Sequence, residues 1–583
     1  MLFRSRSLPF FDALPKRVSE LWINFLLSGV RTHLINTGSN FANIAYELGP
    51  KRFTEALINV IARRKDAATF GEFKEIFRFV DWKRAKEGFQ ESFDLEVLSP
   101  ENKLDTILPA IPGKTGRTVR TPGRLLKAAD RFAREILVPI EAASHAYREA
   151  SAKGLTGEER REFIRAQLSD VKSAAIEYGK ARASEITFTD DVPKDRIDGK
   201  IIRYLIGLKN EGGVTGMLVN AFLPFIKVPY NITRQTVRKS PLGAVNLAIQ
   251  AGKAAFGFRK VDNQFIQHTA EQVLVWGATG ILLSMSGDGD DDPPVITGTG
   301  ANYGSSERNF NAQNLPPNSI RIGGKWYDYS RIEPLSDVLS SLGNVLEAYR
   351  SNKPKAYQKA FTKTVKNLAD KSYFSTFREV FQLLEADEYT LRNSGANYIS
   401  SWVPNLVRQF ALYSDDYMAE QRGADFFDLV KTRSGFRTLA PKVDYFGRDI
   451  PRDIQEGTGG SWLWRFAPWT TREVEYGDEA DRLLRNYNQQ NPDNAYWVSR
   501  VGRVGKWKGE KISFSGDDYH DLCREAGELA HRKILEGIRR GFLNVEHPGE
   551  KDIELVKKVI ARARRETRER FIREGRFEKE EEK

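Results

Sequence analysis

Apolar residues recur every three to four positions over most of this chain, and that spacing leaves it little to build except helices. The pattern runs through 17–45, interrupted by Gly29 and Gly38, and then through 52–66, 70–90, 123–150 and 157–184. Thr156 followed by Glu159 has the spacing of a capping box at the start of the last of these. Helical periodicity resumes over 198–286, 336–350, 354–370, 374–386 and the charged tail 516–583, whose final Glu-Lys run 578–583 is expected to fray. Strand-like alternation is confined to 319–332 (SIRIGGKWYDYSRI). There Gly323–Gly324 supplies a hairpin dipeptide between Ile320, Ile322, Trp326, Tyr327 and Tyr329. The expected fold is mostly α: several helical subdomains in an extended arrangement, with one small β-hairpin near 319–332. Nothing in the pattern supports the buried strands of a parallel sheet.

Proline, glycine and charge divide the 583 residues into regions. These are an N-terminal helical region (1–96), a basic Pro/Gly linker (97–122), a helical hairpin region (123–197) and an apolar helical region (198–286). An acidic loop with the hairpin follows (287–335), then a helical region (336–392), an irregular region rich in aromatics, Gly and Pro (393–515) and the charged helical tail (516–583). The acidic loop holds Asp288, Asp290, Asp291 and Asp292 but lacks the twelfth-position Glu of a calcium loop.

Two segments approach membrane-spanning character without reaching it. Val214–Ile226 and Val273–Met285 cover about 20 Å each as helices, against a hydrocarbon core of about 30 Å. They read either as buried core helices or as segments that meet a membrane interface or another subunit. The side chains that would be buried in that second reading are Met217, Leu218, Phe222, Leu223, Phe225 and Ile226 in the first, and Val273, Leu274, Trp276, Ile281, Leu282 and Leu283 in the second. The start of the chain lacks the uninterrupted apolar stretch of a secretory signal.

Charge points to anionic partners. Lys and Arg number 90 against 78 Asp and Glu, a net charge of +12. An excess of this size favours nucleic acid or anionic headgroups. The candidate contacts are Lys114, Arg117 and Arg120 in the basic linker, and Arg234, Arg238 and Lys239 beside the first apolar segment. Aromatics mix with cations again at 461–472 and 496–508, a combination that suits a membrane interface or stacked single-stranded nucleic acid. Signatures of catalysis are missing. One cysteine and six scattered histidines spell no metal site, and GKTGRT (113–118) lacks the first glycine of a phosphate-binding loop. The expectation is a non-enzymatic chain without a cofactor or metal.

Several phrases in consistent order resemble one family. They are FLLSGVRTHLINTGSNFANI (25–44), ITFTDDV (186–192), FLPFIKVPYNITRQTVRKSPLGAV (222–245), NSIRIGGKWYDYSRIEPL (318–335), SWVPNLVRQFA (401–411), LAPKVDYFGRDI (439–450) and FSGDDYHDLCREAGELA (514–530). Together they resemble the C-terminal region of large polyvalent proteins of tailed bacteriophages and prophages, related to the internal virion, DNA-ejection proteins of short-tailed phages. The resemblance carries no catalytic residue. It implies a protein packaged inside the virion, near the capsid interior or portal, and expelled to the host envelope with the genome. Its implied partners are further copies of itself, other virion proteins, the double-stranded DNA genome and, conditionally, the host membrane. The alternative is a phage-encoded nucleic-acid-binding accessory protein acting in the host cytoplasm.

Overall fold

A computed structural model describes residues 10–62, 69–95, 109–194, 197–210, 226–256, 262–285, 294–300, 315–323, 325–333, 335–351, 354–370, 388–413, 417–421, 424–436, 438–450, 470–472, 478–491, 494–508, 510–514 and 516–579. The described residues are mostly helical, as the periodicity predicts, with strands confined to short antiparallel pairings. They divide into two units: 1–285 with 330–385 and 466–468, and 286–329 with 386–465 and 469–583.

The first unit is built around the helix Thr121–Ala152. Its inward positions are small: Ala128, Ala133, Ala142, Ala143, Ala146 and Ala150 are almost completely buried. Small side chains let the neighbouring helices Trp82–Leu95 and Ala174–Ile186 approach closely, and Ile136, Leu137, Ile140 and Tyr147 fill the space between them. The sequence here reads as a Pro/Gly linker up to residue 122, but Gly113–Val119 is helical and the long helix starts at Thr121. Pro122 sits in its first turn, where a missing N–H leaves no hydrogen bond unmade.

The periodicity over 157–184 belongs to two helices, Gly157–Ser169 and Ala174–Ile186. Asp170 ends the first, and the Ser173 side chain accepts from the Ile176 N–H to start the second. Thr156 occupies the cap position of the first helix without a side-chain cap bond, so the capping box does not form. Gly38 also fails to break its helix. Val30–Tyr46 runs through it, since one interior glycine costs only about 1 kcal/mol against alanine.

After Tyr46 the chain does not stop at Pro50. It widens into one π-turn, Glu47–Lys51, and continues as Arg52–Ile61. In a regular α-helix the Pro50 ring would clash with the carbonyl four residues back; the wider turn removes that clash. The unit continues through Ile197–Asn210, Lys227–Lys239, Gly243–Ala255, Asn263–Met285, Leu335–Ser351 and Pro354–Asp370.

The second unit contains both sheets. Ser319–Ile322 pairs with Lys325–Asp328 in the expected hairpin, with Gly323 at φ +58°, and Thr470–Arg472 adds a third strand to it. A second sheet, unforeseen from the sequence, joins Val504–Trp507, Glu510–Ser513 and Glu578–Lys579. Residues 578–579 are therefore a paired strand; 580–583, the rest of the run expected to fray, lie outside the described residues. The region 393–515, read as irregular, holds most of the helix Glu388–Ser400 and the helices Asn405–Tyr413, Phe426–Arg433 and Glu479–Gln490. Gly516–Arg539 and Glu550–Arg573 form an antiparallel pair. Tyr519, Leu522, Ala526, Ala530 and Ile534 of the first helix share core clusters with Ile553, Val556, Ile560, Ala563 and Phe571 of the second.

Candidate functional site

Several helices of the first unit carry their polar face inward and their apolar face outward. Arg52–Ile61 is the clearest. Arg52, Thr54, Glu55 and Asn59 are buried, while Phe53, Leu57, Val60 and Ile61 face out, Ile61 at 74% exposure. Phe70–Ile76 buries Glu72 and Ile76 completely and exposes Phe70 and Phe73, with Phe53 and Phe70 in edge contact at 5.2 Å between ring centres. Val30–Tyr46 buries Ser39, Asn40 and Asn43 and exposes Leu34 and Phe41. Gly243–Ala255 buries Gln250 beneath exposed Val245 and Ile249. Asn263–Met285 is mixed: it buries Glu271 and Gln272 alongside Ile266, Ala270 and Val275, and exposes Val273, Trp276, Ile281 and Met285.

Most of the buried charges neutralise one another; among the described residues Glu55 has no ion pair at contact distance, and burial pushes its carboxyl up. Glu47 on the π-turn receives Lys51 Nζ at 2.8 Å, Lys239 Nζ at 2.8 Å and Arg182 Nη2 at 3.0 Å. Lys51 also reaches Glu271 Oε1 at 2.9 Å, and Glu271 Oε2 lies 3.0 Å from Arg238 Nε. Arg238 Nη1 donates to Glu185 Oε1 at 2.6 Å, and Arg182 donates to the same carboxylate. A second group continues from this one: Arg52 Nη2 to Glu141 at 2.5 Å, and Arg148 to Glu72 at 2.9 and 3.0 Å, with Ser144 donating to Glu72. Residues from six helices and the π-turn thus meet in one ionic core.

Burial raises the cost of every charge here, so the pairing decides each protonation state. Burial pushes the Glu47 carboxyl up, but Lys239, Lys51 and Arg182 together hold it well below the usual carboxylate range. Glu271 is likewise held low, against burial, by Arg238 and Lys51. Lys239 is pulled down by burial despite Glu47, although its three donors are all used, by Glu47, Asn43 Oδ1 and Gln235 Oε1.

Asp190 behaves oppositely. Burial, and then the Glu185 charge, push its carboxyl from 3.8 up to about 6. An acid with a raised folded pKa favours the native state at low pH and opposes it once ionised. Its penalty builds between pH 4 and 6 and is complete at neutrality. Asp190→Asn should therefore stabilise the protein at pH 7.5, by at most about 3 kcal/mol, and leave it unchanged near pH 4. Urea unfolding at the two pH values checks this.

The structure distributes the expected contact residues unevenly. Met217, Leu218, Phe222, Leu223 and Phe225 lie outside the described residues, and Ile226 is buried. Val273, Trp276 and Ile281 are exposed, and Leu274, Leu282 and Leu283 are half-buried. Lys114, Arg117 and Arg234 are exposed, Arg117 beside Asp94. Three of the cations read as anion contacts are corrected. Arg238 and Lys239 belong to the ionic core, and Arg120 donates to Glu20 at 2.6 Å and to the Ile111 carbonyl at 2.9 Å. Each faces a carboxylate inside the unit because a buried cation needs an anion at contact distance.

Sequence reasoning passes over Glu47, Lys51, Arg182, Glu185 and Glu271. The available signal is Glu47 next to Pro50 in a helical pattern, and Glu271 just ahead of the long apolar run at 273–285. Among the described residues no cluster of His, Cys, Asp and Glu has the form of a metal site, and no helix is long and apolar enough to cross a membrane. No family model, curated protein or solved structure matches the chain.

Proposed function

We propose that the chain is a non-enzymatic internal virion protein of a tailed phage that takes part in genome ejection. In this reading it contacts the host membrane through the apolar surface of its first unit, contacts the DNA genome through its positive charge, and acts as an oligomer. The observation that carries the reading is the reversed amphipathicity of Arg52–Ile61 and its neighbours. In water a helix gains by turning its apolar face inward. Charges gathered inside with aromatic and aliphatic side chains outside suit an apolar surround, where polar groups face the bundle interior. Arg52–Ile61 is about 15 Å long. That length suits a helix lying in the interface better than one crossing the bilayer. The ordered set of phage-like phrases supports the virion setting.

Peptide mass spectrometry of purified, nuclease-treated virions of the phage that encodes the chain tests the setting. The protein is expected in full particles and absent from particles that have released their genome. Its absence from full particles would move it into the infected cell as a nucleic-acid-binding accessory protein. A vesicle assay tests the surface. Leu57→Glu with Ile61→Glu should weaken sedimentation with lipid vesicles about tenfold or more and leave the melting temperature unchanged, because both side chains are exposed. Unchanged vesicle binding by the variant would remove this face from the contact.

A further inference from the structure

The basic-aromatic segment at 496–508 and the charged helix Glu550–Arg573 are far apart in sequence, and the fold of the second unit lays one on the other. Lys557 Nζ stands 4.9 Å from the centre of the Tyr496 ring. Further along the same face, Arg564 donates to the Ser499 carbonyl and hydroxyl, and Arg568 Nη2 donates to the Gly502 carbonyl at 2.8 Å. Lys557, Arg564 and Arg568 thus form a ladder with helical spacing of seven and four residues, about 10 and 6 Å of rise.

Some cations of the helix pair face carboxylates, while among the described residues Arg532, Arg539, Lys551, Arg565 and Arg573 have none at ion-pair distance. The ladder is set apart by lying against the distant segment 496–502, whose oxygens anchor two of its members. Lys558 pairs with Glu554, Arg562 with Glu566, Arg570 with Glu525 and Arg576 with Asp518. Among the described residues no carboxylate pairs with Lys557, Arg564 or Arg568; the two arginines are held by neutral oxygens alone. A guanidinium has five N–H donors, and a carbonyl anchor uses one or two of them. Apart from Arg568 Nε, which is buried, the rest remain for a ligand, and both side chains are half-buried, so their geometry is partly fixed before any ligand arrives. Gly502 and Gly505 put no side chain over the flank of Arg568, whose guanidinium would lie 3.4 to 3.8 Å from a Cβ at either position.

We infer that this ladder is a binding site for the phosphodiester backbone of double-stranded nucleic acid. Three cations in a row with no carboxylate at contact distance, two of them planar donor forks, match a row of phosphates better than a single anion. The aromatics of the segment argue against a stacked single strand. Tyr496 lies under Lys557, and Tyr496, Trp497 and Trp507 are partly buried against the core clusters, so these rings are engaged by the fold and poorly placed to stack bases. The ladder therefore meets the backbone, and its binding is independent of sequence. The inference deepens the proposed function at its DNA contact, in a different unit from the apolar surface.

The test is fluorescence anisotropy of the full chain with a labelled duplex of arbitrary sequence, titrated with salt between about 50 and 200 mM. Wild type should bind with a linear log-log salt dependence. Arg564→Gln with Arg568→Gln should lower the slope by about 1.8, about 0.9 for each phosphate that is no longer neutralised. Arg564→Lys with Arg568→Lys keeps the charge and should keep the slope. Lys114→Gln with Arg117→Gln, in the other unit, should also leave it unchanged. If the double Gln variant fails to fold by circular dichroism, Lys557→Gln carries the test with an expected drop in slope of about 0.9.

No duplex binding by wild type would overturn the inference, as would equal binding by the Gln variant. So would a Gln variant that no longer binds phosphatidylglycerol vesicles while holding DNA, since that would make the ladder a lipid site. Leu57→Glu with Ile61→Glu should bind the duplex as wild type does, so failure of the membrane reading and failure of this one are told apart.

Discussion

Glu47→Gln should destabilise the first unit by about 3–5 kcal/mol, one of the largest effects expected of a single substitution in this chain. Glutamine has nearly the same shape and can still accept hydrogen bonds. It removes one negative charge from the point where Lys51, Lys239 and Arg182 converge at 2.8 to 3.0 Å. Lys51 and Arg182 keep Glu271 and Glu185, but Lys239 is left with two neutral amide oxygens. A buried ammonium without a carboxylate is the costly case.

Three features separate this effect from a packing defect. It should not respond to salt, because the pairs are buried beyond the reach of screening. It should be constant from neutrality down to about pH 5, where the unfolded-state carboxyl begins to take up protons while the folded Glu47, held well below the usual range, does not; below that the wild type loses the contribution as well. Pairing it with Lys239→Met should recover much of the stability, since the second change removes the stranded cation; a double-mutant cycle by thermal or urea unfolding reads this coupling. A cycle with no coupling would mean that the ionic core does not hold the unit together.

Gly527→Ala is the second large effect, and it arises from geometry. Gly527 lies inside Gly516–Arg539 where the loop 445–449 crosses the helix. A Cβ there would come within 2.3 Å of the Gly447 nitrogen and 2.5 Å of the Phe446 carbonyl carbon. Gly447, at φ +82°, faces the helix in return, with its own Cβ position 2.3 Å from the Arg524 carbonyl oxygen. Backbone meets backbone on both sides, so no rotamer change can make room. Alanine has to displace the loop, which also carries Tyr445, Phe446 and the Asp444–Arg448 pair that reaches Asp481. The cost should sit at or above the upper end of the ~1–3 kcal/mol typical of overpacking, despite the better helix propensity of alanine. Circular dichroism melting of the single variant checks this. Gly537→Ala on the same helix should cost less, since its nearest neighbour is a Leu543 methyl at 3.1 Å that can shift.

The two sites differ in how far the sequence foretells them. The helix that carries Gly527 is legible from spacing alone, as are the hairpin at 319–328 and the helices Leu335–Ser351 and Pro354–Asp370, whereas Glu47 lies between the periodic runs 17–45 and 52–66, on a π-turn that spacing does not announce. The sheet at 504–513 is not, because its strands are four residues long and one partner, Glu578–Lys579, comes from a run that reads as a charged helix end. A short strand is made by its partner, and the partner here is far away in the chain. The basic residues mislead for a related reason. Arg238 and Lys239 have the local look of solvated cations, and only the arrival of Glu47, Glu185 and Glu271 from other helices makes them interior. Arg564 and Arg568 look like ordinary members of an Arg/Glu-rich surface helix, and only the placement of 499–502 over them anchors them on neutral oxygens.

What the amino-acid order determines by itself is that the chain is helical, roughly where its helices lie, and that they have two unlike faces. It does so because a period near 3.6 is a local property, set by which residue types recur on one side of a helix. What only the tertiary structure decides is which face turns inward. Arg52–Ile61 shows the same amphipathic pattern whether Phe53, Leu57 and Ile61 meet a core or a solvent boundary. The choice rests on whether buried charges find partners, and those partners come from long range: Glu47 and Arg182 are 135 residues apart. Burying the polar face is tolerable only when six helices and a π-turn deliver matching charges to one place, and no local pattern can record that meeting.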